Sequence, residues 1–240
     1  MSDFGDLLET VSRLKPAERQ QLLLYIQRSG ELSPLPTGAV EEPRPAYGAL
    51  LKYMTLDEFF EFQERTPITY EYINGIIRAM SGPSVAHCLI TQNIFSVIRA
   101  RLRGGPCEAF CTGGQLQLTF GKDEIIYHPD VYVSCDRKAW SEKSVVNPRF
   151  VVEVLSPSTQ HIDRREKLVN YCRLISLQEY VIVSQRRAEL EIYRRENNWR
   201  QDVIDAPGAV AEFRSLDVTV ALADIYDGVS VQADPDCNER

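Results

Sequence analysis

Apolar positions along the chain switch between helical and strand spacing, and the switches mark out its elements. Leu7, Leu8, Val11 and Leu14 recur at helical spacing, and Pro16 opens a second helical stretch that ends near Gly30. ELSPLPTGAVEEPRPAYG, residues 31–48, carries four prolines and reads as a linker. Thr55 and Glu58 then have the spacing of a capping box ahead of a short helix. ITYEYINGIIRAM gives two strand-like runs joined by Asn74-Gly75, a strong hairpin signal. Ser84 is placed to cap a helix carrying Ile90, Ile94, Val97, Ile98 and Leu102, which Gly104-Gly105-Pro106 ends.

QLQLTF and EIIYHPDVYVSC read as strands joined by the turn GKDE. Residues 149–155 read as a strand and 162–175 as a helix. EYVIV, ELEIYRR and WRQDVI read as three more strands, and LDVTVALADIY as a short strand with a helical turn. The hairpins, with one strand–helix–strand crossover over 149–184, predict an α/β domain with a mixed β-sheet flanked by helices. The expected division is a helical N-terminal extension with its Pro-rich linker over 1–46, the main domain over 47–230 and a tail over 231–240.

Composition narrows the class. The chain has 240 residues, 44% of them hydrophobic and 25% charged, and no apolar run approaches the ~20 residues of a membrane span. The N-terminus is polar with no signal-peptide core, so a cytoplasmic location with no membrane partner is expected. The six cysteines are scattered without a C-x-x-C pair. That spacing argues against structural zinc and for reduced thiols packed as small hydrophobes. The net charge of −7 opposes indiscriminate nucleic-acid binding, yet residues 137–200 hold 13 Lys/Arg against 8 Asp/Glu. Arg186, Arg187, Arg194 and Arg195 fall within that basic stretch, either as a phosphate-binding hairpin or as a solvated face.

The candidate chemistry starts from Glu153, set in the apolar run RFVVEVL. A buried carboxylate needs a partner, a hydrogen bond or a metal. A second carboxylate, Asp130, follows Pro129 at the start of VYV. Neighbouring strands would let the two converge on a hard cation such as Mg²⁺. Asp163, Lys167 and Tyr171 are spaced i, i+4, i+8 and share a helix stripe, so Lys167 is either a working lysine or half of a surface ion pair. His128 has the position of a residue that sets an extended bend before Pro129, and Tyr180 that of a packed aromatic. His161 has no assigned part.

The ordered series YEYINGIIRAMSGPSVAH, HPDVYV, FVVEVLSPST, DRREKLVNY and EYVIV, spread over residues 54–226, resembles the PD-(D/E)xK superfamily of restriction-endonuclease-like nucleases. More closely, it is similar to an endonuclease-like family of unknown function abundant in cyanobacteria. The resemblance implies Mg²⁺-dependent cleavage of DNA phosphodiester bonds, with Mn²⁺ as a substitute ion, and a homodimer that cuts both strands. It implies that Asp130 and Glu153 hold the metal. The usual pattern is Glu-x-Lys, and Leu155 stands at the lysine position, so the resemblance assigns the lysine role to Lys167 on the following helix. It adds Glu71 to the acidic cluster and His87 as a phosphate contact or proton carrier.

Three readings follow. The first is a metal-dependent DNA endonuclease built on Asp130, Glu153, Lys167, Glu71 and His87. The second is a catalytically silent DNA- or protein-binding module on the same fold. The third, a metal-independent hydrolase using two carboxylates as acid and base, fits least well.

Overall fold

The computed structural model describes residues 54–231 apart from 112, 113 and 158. The predicted N-terminal helices, the linker and the C-terminal tail lie outside the described residues.

The first helix, α1 (Leu56–Glu64), begins at the expected capping box. The Thr55 hydroxyl accepts from the Glu58 amide, and the Glu58 carboxylate accepts from the Thr55 amide at 2.8 Å. Strands β1 (Tyr70–Ile73) and β2 (Ile76–Ala79) form the hairpin predicted at Asn74-Gly75. Both turn residues have positive φ, 49° and 94°, which a two-residue primed turn requires and Asn-Gly tolerates. Helix α2 (Val85–Leu102) is capped by the Ser84 hydroxyl, which accepts from the His87 amide at 3.1 Å. Its Ile90, Ile94 and Ile98 are fully buried, as their spacing predicts.

The chain then lays down β3 (Glu108–Cys111), β4 (Leu116–Phe120), β5 (Asp123–Tyr127), β6 (Val131–Ser134) and β7 (Pro148–Val154). EIIYHPDVYVSC is therefore not one strand. It breaks at His128-Pro129-Asp130, and the two halves join different sheets: β5 a four-stranded sheet in the order β2-β1-β5-β4, β6 a six-stranded one. Proline supplies no N–H to a ladder, so the break falls where backbone pairing must stop. β3 is too short for its alternation to show in the sequence, and so is β11 below.

After β7 comes a helical rod in three parts: α3 (Gln160–Ile162), a π-helical segment (Asp163–Lys167) and α4 (Leu168–Arg173). Strand β8 (Glu179–Val183) follows, parallel to β7, which is the predicted crossover. β9 (Leu190–Arg194) and β10 (Gln201–Ile204) extend the larger sheet to the order β10-β9-β8-β7-β6-β3. A separate hairpin of β11 (Val210–Phe213) and β12 (Val218–Ala221) leads into α5 (Leu222–Ile225).

The six-stranded sheet separates two cores. On one face Phe150, Val152, Val154, Val131, Val133, Val181, Val183, Leu190 and Ile192 meet α2, the β11–β12 hairpin and α5. On the other face Tyr132, Val151, Leu155, Tyr180, Ile182 and Tyr193 meet the helical rod and residues of the four-stranded sheet. A smaller cluster of Phe59, Tyr72 and Ile126 seats α1 on the far side of that second sheet.

Two expectations from the sequence are corrected here. Cys107 and Cys135 form a disulfide rather than staying reduced. The register Glu108↔Ser134 sets them opposite each other at the end of the β3–β6 pair, a proximity invisible in a separation of 28 residues. Cys88, Cys111 and Cys172 are free, and Cys237 lies outside the described residues.

The basic hairpin is also not one surface. Arg194 is buried, bound to Glu179 at 2.9 Å and Asp202 at 2.7 Å. Arg195 donates to the carbonyls of Leu177 and Leu174 and stacks over Trp199. Neither guanidinium is offered to a phosphate. Arg187 bridges to Glu189, which leaves Arg186 as the exposed member of the set closest to the original expectation.

Candidate functional site

Alternation along β7 decides which way Glu153 faces. Val152 and Val154 enter the aliphatic core, so Glu153 points to the other face, beneath the helical rod. There its Oε1 lies 3.0 Å from the Lys167 Nζ and accepts from the Tyr171 hydroxyl at 2.9 Å. Lys167 also meets Glu71 Oε1 at 3.0 Å and Asp163 Oδ1 at 3.2 Å, with its ammonium over the Tyr127 ring. The predicted stripe of Asp163, Lys167 and Tyr171 is real, and all three residues are buried. The alternative of a surface ion pair is excluded by that burial.

Glu71 arrives from β1, where its cross-strand partner in the register is Arg78. The Arg78 guanidinium grips Glu71 at 2.5 and 3.0 Å and reaches Glu166 at 3.1 and 3.2 Å. Tyr127 donates to Glu166 at 2.8 Å and accepts from Asn170 at 2.8 Å. Asp163 is held further by the Thr159 hydroxyl at 2.9 Å, and its backbone carbonyl accepts from Tyr180 at 3.0 Å. Tyr180 is thus a packed aromatic that also touches the cluster.

The charges do not balance. Glu71, Glu153, Asp163 and Glu166 surround Lys167 and Arg78, so carboxylates outnumber cations. Burial pushes the Glu153 carboxyl well above the usual carboxylate range; Lys167 opposes the shift, while the charges of Asp163, Asp130 and Glu71 add to it. Burial likewise raises Asp163 against the pull of Lys167. Burial also acts to raise Glu71, but Lys167 and Arg78 together outweigh it and leave that carboxyl lowered. Burial alone would depress the Lys167 ammonium, yet Glu153, Glu71 and Asp163 hold it well above an ordinary lysine.

Asp130 occupies the rim of the same arrangement. The β6–β7 register Val131↔Val152 runs on to place Asp130 opposite Glu153, at one end of the sheet. With Pro129 ending the backbone ladder, Asp130 Oδ2 accepts the next amide, Val154 N–H, at 2.7 Å. Oδ1 meets His87 Nε2 at 2.6 Å, on the first turn of α2. The His87 Nδ1 faces the Gln185 Nε2 at 3.3 Å.

The structure therefore brings Asp130, Glu153, Lys167, Glu71 and His87 to one end of the six-stranded sheet. His128 is buried beside them with Nε2 on the Tyr70 carbonyl at 3.2 Å, and His161 is exposed. Sequence reasoning missed Arg78, Glu166, Tyr127, Asn170 and Gln185. The i,i+3 spacing of Asp163 and Glu166 and the facing of Glu71 and Arg78 across the Asn74-Gly75 turn were readable signals for two of them.

Asp130 and Glu153 fit a hard divalent cation in donor chemistry, as two carboxylates at facing positions of adjacent strands within an excess of negative charge. Among the described residues no three His, Cys, Asp or Glu side chains form a ready-made cage. Water and phosphate would therefore complete such a shell.

Residues 56–223 match the Uma2 family, whose description is "Putative restriction endonuclease". The chain belongs to the Uma2 family. Two uncharacterized proteins of Synechocystis sp. are similar to this Uma2 chain. One is 31% identical over 176 residues, covering 72% of this chain and 92% of the relative; the other is 26% identical over 175 residues, covering 71% and 98%. A crystal structure described as a putative nuclease belonging to DUF820, from Anabaena variabilis, superposes with a TM-score of 0.59. It is 22% identical and covers 74% of this chain and 99% of its own, a likeness of fold. The restriction-endonuclease-like fold expected from the sequence is thus the fold of this Uma2 domain. Among the described residues no helix is long and apolar enough to cross a membrane.

Proposed function

We propose that this Uma2 protein is a metal-dependent DNA endonuclease, with Asp130 and Glu153 as the ligands of Mg²⁺ or Mn²⁺. The observation that carries the reading is the contact of Lys167 with Glu153 beneath the sheet end where Asp130 also sits. It reproduces a carboxylate–carboxylate–lysine set although Leu155 fills the usual lysine position. The bound cation would polarise the scissile phosphate and lower the pKa of an attacking water.

The chain's own residues do the positioning. Val154 N–H and His87 fix the two Asp130 oxygens. Lys167 and Tyr171 fix Glu153 from behind. The Lys167 charge, set in a low-dielectric interior, offsets negative charge developing at the phosphate above it. Glu71 and Asp163 hold that ammonium in place. Cleavage of both strands by a homodimer completes the proposal.

The test is cleavage of supercoiled plasmid by the purified chain with Mg²⁺, with Mn²⁺ and with EDTA. Expected are metal-dependent nicking and linearisation, abolished in Glu153→Gln and Asp130→Asn and reduced in Lys167→Met. DNA retention without cleavage under every metal condition would instead establish the silent binding module.

A further inference from the structure

We propose that Gln185 is a positioning residue for the His87–Asp130 pair, holding the His87 imidazole as the tautomer whose Nε2 carries the proton. Its catalytic consequence rests on the endonuclease reading; the tautomer does not.

Gln185 lies half-buried in the turn between β8 and β9, and each end of its amide has a partner that fixes its sense. The Nε2 lies 2.5 Å from the Leu155 carbonyl oxygen, an acceptor with no proton to give. The Oε1 takes the Ser84 hydroxyl at 2.5 Å, while the same hydroxyl oxygen accepts the His87 amide. Turning the amide over would set two acceptor oxygens, Oε1 and the Leu155 carbonyl, against each other. The group facing His87 Nδ1 at 3.3 Å is therefore an N–H donor. Nδ1 must accept, so the ring proton resides on Nε2 and is donated to Asp130 Oδ1 at 2.6 Å.

This chain of bonds links elements that are distant in sequence: the end of β8, the residue after β7, the cap of α2 and the rim carboxylate. It orients one oxygen of Asp130 through His87, while Val154 N–H orients the other. A hydrogen-bonded partner behind an active-site histidine sets which nitrogen works and how the ring is aimed.

The experiment is ¹⁵N NMR of the histidine rings in the full chain at pH 8, assigned with His87→Gln. Expected for His87 is an unprotonated, acceptor-type Nδ1 and a protonated Nε2. A protonated Nδ1, in either the other tautomer or the imidazolium, overturns the proposal. In Gln185→Glu the ring is expected to gain an Nδ1 proton, because the new carboxylate can only accept. An unchanged spectrum in that variant also overturns it. If the wild type cleaves plasmid, Gln185→Leu should lower kcat about 10-fold with little change in KM. A wild type that never cleaves sinks the endonuclease reading and leaves the NMR result to decide the tautomer.

Discussion

The two faces of the six-stranded sheet are built from the same strands by opposite rules. One face is Val, Ile, Leu and Phe against an amphipathic helix and a hairpin. The other alternates tyrosines with carboxylates: Tyr132, Glu153, Tyr180, Glu191 and Tyr193, all buried. Glu191 there has its own set of partners, Arg164 at 2.5 and 2.9 Å with Tyr193 and Gln201 at 2.8 Å. The aliphatic face is held by area removed from water, which is non-directional and tolerant of repacking. The tyrosine–carboxylate face is held by directed bonds between groups that are costly to bury alone. Stability and chemistry are thus assigned to opposite sides of one sheet, and β7 serves both through its alternation.

Lys167→Met should break this contrast most sharply. It leaves Glu71, Glu153 and Asp163 buried around an uncharged side chain, for an expected loss of roughly 3–5 kcal/mol in urea unfolding. A loss under about 1 kcal/mol would mean that the carboxylates do not depend on the ammonium, and the two faces would be less different than their contacts indicate.

A milder pair sharpens the comparison. Ile98→Val on the aliphatic side removes one methylene and should cost about 0.5–1.5 kcal/mol. Tyr180→Phe on the polar side keeps the ring and removes the bond to the Asp163 carbonyl, for about 1 kcal/mol. The stability losses should be alike, but only Tyr180→Phe should change plasmid cleavage. Equal cleavage by both variants would separate the tyrosine network from the site.

The smallest effect is a slope. The Asp163 carboxyl is raised in the folded chain by burial, so its protonated form is the one folding favours. Its contribution is full below the ordinary aspartate pKa of about 3.9 and is lost as pH rises through the folded value. The stability difference between wild type and Asp163→Asn should therefore shrink as pH rises across that window. A difference that widened would show Lys167 outweighing burial. No such slope is expected from Ile98→Val.

Much of this was legible before the coordinates. The capping box, the Asn-Gly hairpin, the α2 stripe and the β7–β8 crossover each rest on local rules, and each appears where its residues predict. The acidic residues and Lys167 were also legible, because a carboxylate within RFVVEVL demands a partner and the i, i+4, i+8 stripe offers one. The missed features are those set by register between distant segments. Cys107 meets Cys135 only because β3 lies against β6, and Arg78 meets Glu166 only because the first hairpin lies beside the helical rod. The arginines of the basic stretch misled because composition counts charge without showing which guanidinium turns inward. Arg194 turns inward and Arg186 does not.

The π-helical segment Asp163–Lys167 makes the length of this stretch part of the site. A π turn holds one more residue than an α turn, so deleting any one residue here would let the rod close into regular α-helix. Everything downstream would then rotate by roughly 100°. Tyr171 would swing away from Glu153, and Asn170 away from Tyr127. A shortening that improves the helix would dismantle what the helix carries, so insertions and deletions in this segment are far less neutral than its place after a loop suggests.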